Sequence, residues 1–147
     1  MIENFLKHES EFEALRAEFE ADEKLIALGR DEIHYSDQII QINSDLSGAE
    51  RAGFTKARWA AYQRQLRDLG LAIIIKGKNG VEFRVDQGAI SNGDSYKGYE
   101  YTLQRPQHEK PSLDNYRIFS GDRDRFGNYD VARPLKGNWY LYLFVNG

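Results

Sequence analysis

The chain has 147 residues, 41% of them hydrophobic and 13% aromatic, which supplies a core and excludes global disorder. It holds no cysteine, so disulfides, thiolate nucleophiles and Cys-based zinc sites are excluded. The net charge of −3 conceals a segregation: residues 1–50 carry four Lys/Arg against thirteen Asp/Glu, residues 51–85 eight against two, and residues 86–147 eight of each.

The opening Met1-Ile-Glu-Asn-Phe-Leu-Lys lacks the basic and apolar regions of a secretory leader. The longest apolar runs, Leu71–Ile75 and Trp139–Val145, fall far short of a membrane span. A soluble, cytoplasmic protein with no membrane contact is the expectation. One domain over 1–147 is expected, in three parts: an acidic helical arm over 1–34, helices and a basic hairpin over 35–86, and an aromatic-rich sheet over 87–147.

The first predicted element is a long helix over Ile2–Leu28, free of proline, rich in Glu, Ala, Leu and Lys, and reaching its first glycine at Gly29. Phe5, Phe12, Phe19 and Ile26 recur every seven residues along it, a narrow seam that fits one packing partner. That partner is either the helix's own domain or another chain, as in a homodimer arm. A second helix is predicted over Ser36–Leu46, with Ser36 as its cap and Ser47-Gly48 as its end. A third is predicted over Thr55–Leu69. Its wheel gathers Trp59, Tyr62, Leu66 and Leu69 on one side and, within about 80° on the other, Lys56, Arg64 and Arg67. Gly70 is its natural stop.

Strands follow. Leu71–Lys76 and Val81–Asp86 flank Gly77-Lys78-Asn79-Gly80, and Asn79-Gly80 is a strong hairpin signal because both residues accept positive φ. Further strands are predicted at Tyr99–Gln104, Tyr116–Ser120, Tyr129–Ala132 and Trp139–Val145, with turn-forming clusters between them. Trp139–Val145 is apolar on both faces, which suits a central strand. The fold class expected is α+β: a long N-terminal helix, two shorter helices, then an antiparallel sheet of about five or six strands.

The order helix, Leu69-Gly70-Leu71, strand, Lys-Gly-Lys-Asn-Gly turn, strand resembles the third helix and wing of winged-helix DNA-binding domains over residues 36–86. In that family the helix enters the major groove and the hairpin reaches phosphates or the minor groove. The resemblance implies a groove-facing Lys56, Arg64 and Arg67, with Lys76 and Lys78 on the wing. Such cations neutralise phosphates and make binding salt-sensitive. Two readings compete with it: cations that merely solvate the outer helix face, and cations that pair with the acidic opening segment.

Other patterns carry less. Tyr99, Tyr101, Tyr140 and Tyr142 lie at spacings that place pairs on one sheet face, suited to core packing or to stacking a planar ligand. Asp122–Arg133 begins like a calcium loop but has Phe126 at its fifth position and Arg133 at its twelfth, so it lacks the deciding oxygens. His8, His34 and His108 stand apart without metal-ligand spacing. No phosphate-loop or dinucleotide fingerprint is present. No catalytic residue, metal or cofactor is therefore expected. The leading reading is a non-enzymatic binding protein that contacts nucleic acid through Lys56, Arg64, Arg67, Lys76 and Lys78. The alternative is a protein–protein or assembly module using Phe5, Phe12, Phe19 and Ile26 together with the aromatic sheet.

Overall fold

The computed structural model describes residues 1–41, 46–77, 80–85, 96–113 and 129–145. The chain divides into two compact units, Met1–Lys76 and Gly77–Gly147.

The first unit opens with two helices, α1 (Ile2–Lys7) and α2 (Glu9–Ala21), separated at His8. The expected single helix to Leu28 is therefore corrected. Its last turn contains acidic but no basic side chains, which opposes the negative end of the helix dipole. Asp22 then turns the backbone to extended geometry, with φ −93° and ψ 96°. The chain continues as β1 (Leu25–Gly29), β2 (Glu32–Tyr35) and β3 (Gln38–Gln41), an antiparallel meander.

The expected second helix over Ser36–Leu46 is corrected as well. Ile33 and Ile40 face each other in register and are both buried. Ser36, expected to cap a helix, instead takes a φ of 60° in the turn between β2 and β3. Short α3 (Ser47–Arg51) and the longer α4 (Lys56–Leu69) follow, then β4 (Leu71–Lys76), which pairs antiparallel with β1. The strand order in this unit is β3-β2-β1-β4. Its core joins Phe5, Phe12, Leu15 and Phe19 of the first helices to Tyr62, Leu66 and Leu69 of α4 and Leu28, Ile33 and Ile74 of the sheet.

The second unit is an antiparallel sheet of β5 (Gly80–Val85), β6 (Tyr96–Thr102), β7 (Tyr129–Lys136) and β8 (Trp139–Val145), in the order β5-β6-β8-β7. Glycine decides two close approaches. A side-chain carbon at Gly80 would lie 1.8 Å from the Tyr101 carbonyl oxygen, and one at Gly98 2.3 Å from that of Phe83. β8 lies between β6 and β7, which explains why neither of its faces is polar. Val81, Phe83, Tyr99, Val131, Trp139, Leu141 and Leu143 form the apolar face, all buried. The segment after β6 adds a short parallel bridge of Glu109 to Ala132, where the Lys110 amide donates to the Ala132 carbonyl at 2.8 Å.

Eight strands and four helices, only two of them longer than six residues, make the described fold mostly sheet. The expectation of a long helix and five or six strands gives way to it. Lys78 and Asn79 of the hairpin turn, the strand expected at Tyr116–Ser120 and the calcium-like stretch from Asp122 to Asn128 lie outside the described residues.

Candidate nucleic-acid interface

The backbone of α4 is fixed at both ends. The Thr55 hydroxyl accepts the Arg58 amide at 3.2 Å, satisfying one of the free donors of the first turn. Gly70 closes the helix in the left-handed conformation at φ 69°. With Tyr62, Leu66 and Leu69 buried, the opposite side must face outward. That side carries Lys56, Arg64 and Arg67, all exposed, with the exposed Ala60 between them and the exposed Ala57 and Ala61 at its margin. None of the three cations makes a hydrogen bond or ion pair among the described residues.

Two other basic residues of the segment, Arg58 and Lys76, are engaged elsewhere. Arg58 places Nη1 2.6 Å from Asp22 Oδ2 and donates through Nη2 to the Tyr62 hydroxyl at 3.3 Å. Its guanidinium lies over the rings of Phe54 and Tyr62, 5.2 and 5.5 Å from their centroids. Burial pushes the Tyr62 phenol up, against the pull of Arg58, so it stays a neutral hydroxyl. Lys76, expected on a wing, donates its ammonium to the Asp22 carbonyl and sits 5.6 Å from the Phe19 ring centroid. It stabilises the end of α2 and does not join the open face.

The acidic opening segment thus takes up Arg58 and Lys76 but leaves the outer cations of α4 alone. Within it Arg16 pairs with Glu13 at 2.9 Å and with Glu20, and from α4 Gln65 donates to Glu18 at 3.2 Å. The exposed alanines were missed in the sequence because small residues give no charge or hydropathy signal.

The Phe seam is internal. Phe5, Phe12 and Phe19 are completely buried in the first unit, and Phe5 and Phe12 lie 5.4 Å apart between ring centroids. Ile26 belongs to β1 instead of the helix, so the fourth member of the seam is displaced from the other three. The three phenylalanines are therefore not accessible to a partner in this fold, whereas Ile26 is exposed. Tyr99 is buried on the apolar face of the second sheet, which it shares with Tyr101; Tyr140 and Tyr142 occupy the other face.

No helix among the described residues is long and apolar enough to cross a membrane. Among the same residues no group of three or more His, Asp or Glu is placed to hold a metal ion. Comparison with protein-family models, with curated proteins and with solved structures finds no match.

Proposed function

We propose that this is a non-enzymatic, cytoplasmic binding protein whose α4 contacts the phosphate backbone of nucleic acid. The observation that carries the reading is the set of Lys56, Arg64 and Arg67, exposed on one helix face and without partners among the described residues. Charge without an internal partner is available to a polyanion, and the intervening alanines let the helix backbone come near a groove wall. Lys56, Arg64 and Arg67 are the proposed contacts.

Three phosphate contacts imply modest affinity and a slope of log K against log salt of about −2.7, at about −0.9 per neutralised phosphate of duplex DNA. Fluorescence anisotropy with a labelled duplex at low salt tests this. Expected is saturable binding that weakens at least about tenfold when Arg64 and Arg67 are both changed to Glu. Absence of binding, or binding indifferent to those changes, removes the reading.

A further inference from the structure

We propose that the nucleic acid held by α4 is single-stranded, with one base stacked on the indole of Trp59 and its phosphate on Lys56. This refines, and rests on, the cationic reading of the helix. On the wheel Trp59 belongs with Tyr62, Leu66 and Leu69, and those three are 0%, 0% and 2% exposed. Trp59 does not follow them inside; it stays partly exposed. At about 100° per residue it lies about 60° from Lys56 and about 80° from Arg67, where the buried and the cationic sides meet.

The ring is also without company. The first unit holds seven aromatic side chains. Six of them lie against a ring or a cation: Phe5 against Phe12, Phe54 against both Tyr35 and Tyr62, and Phe19 beneath an ammonium. Trp59 has neither among the described residues, and its indole N–H donates to no acceptor there. The flanking position one turn on is closed instead, since Gln63 donates Nε2 to the Gly29 carbonyl at 2.8 Å.

Long side chains on a helix point back over the preceding turn, so the indole reaches toward Thr55 and Lys56. Lys56, three residues earlier, is its neighbour on the helix surface, about 5–6 Å away between Cβ atoms. An ammonium and an aromatic face that close together match a nucleotide, whose phosphate and base are joined through one sugar. From Lys56 to Arg67 the helix axis runs about 16 Å, enough for a few nucleotides of backbone.

A duplex does not offer this fit. Its bases stack on one another and show only their edges in the grooves, so an indole reaches a base face only by unstacking or extruding it. A single strand has base faces to give, and stacking on them is tolerant of base identity. The site is therefore short and sequence-tolerant, and duplex binds it through phosphates alone, more weakly.

The test is fluorescence anisotropy of the full chain with labelled oligothymidylate of about 15 nucleotides and with a duplex of the same length. Expected is an affinity for the single strand about tenfold above that for the duplex at equal salt, with tryptophan emission quenched on binding. Trp139 is 3% exposed, so Trp59 is the emitter that a base can reach. Trp59→Phe, which keeps a ring, should retain most of the affinity and lose the quenching. Trp59→Ala, checked for folding by circular dichroism, should bring the single strand down to the level of the duplex. Duplex bound as tightly as the single strand overturns the proposal while the cationic face stands, and so does binding without quenching or quenching that persists in Trp59→Phe. No binding of either form overturns both.

Discussion

Asp22 ties three elements of the first unit together. Its carboxylate receives Arg58 while its carbonyl receives Lys76, so one position ends α2, anchors α4 and ties down β4. The Arg58 and Asp22 side chains are only 29% and 11% exposed, which lifts the pair above the near-zero value of open surface pairs. Removing one partner leaves the other charge partly desolvated. Arg58→Ala should therefore cost about 2–3 kcal/mol in urea denaturation. If Asp22→Ala in the Arg58→Ala background costs as much as it does alone, the two residues are not coupled. The sequence showed both charges but not their meeting. An acidic segment and a basic one announce that pairs will form, and only the fold selects which.

At the scale of elements, α4 was legible nearly to the residue because its signals are local: a threonine cap, an amphipathic wheel and a glycine stop. The strands Leu71–Lys76 and Trp139–Val145 were legible for a similar reason, since β-branched and aromatic runs bounded by turns have few alternatives. The opening helix was not. The seven-residue spacing of Phe5, Phe12 and Phe19 is genuine, but Ile26 continues it by coincidence after the chain has become a strand. Over 36–46 the isoleucines satisfy helix and strand periods equally, and the competing signal, a turn at Ser36-Asp37, looks in sequence like a helix cap. Of the site residues, the three outer cations of α4 followed from the wheel, whereas Lys76 was drawn away by a tertiary contact invisible to it.

The caps of α4 can be separated from its surface. Thr55→Ala should lower stability by about 1 kcal/mol through loss of the bond to the Arg58 amide. It should leave the salt dependence of duplex binding unchanged, because no phosphate contact is removed. A change in slope equal to that of Arg64→Glu would mean that the cap, and not the cationic face, governs binding.

For the molecule as a whole, the segregation of charge ends in two different economies. In the first unit Glu13 and Glu20 pair with Arg16, and Asp22 with Arg58. Among its described residues the second gathers Glu82, Glu100 and Asp130 on one sheet face with Arg84, and this sets a pH dependence opposite to that of most carboxylates. Glu100 has its folded pKa raised from 4.5 to about 7. Between those values the folded state binds the proton more strongly than the unfolded chain, so stability falls as pH rises through the window and levels off above it. The full shift corresponds to about 3 kcal/mol, and partial solvent access to Glu100 reduces the expected loss to about 1–2 kcal/mol. Asp130, raised in the same direction, adds to the fall. Glu11 and Glu109, both lowered, have the opposite sign but act below 4.5, outside this window. Urea midpoints followed through Trp139, with Trp59 replaced by Phe, should therefore decline from about pH 5 to about pH 8. Glu100→Gln should remove most of the decline and raise the midpoint at the alkaline end, because an amide neither ionises nor repels Glu82 and Asp130. A midpoint that climbs across the same range, or a decline left intact by Glu100→Gln, would place the proton elsewhere and take the excess charge on this face out of account.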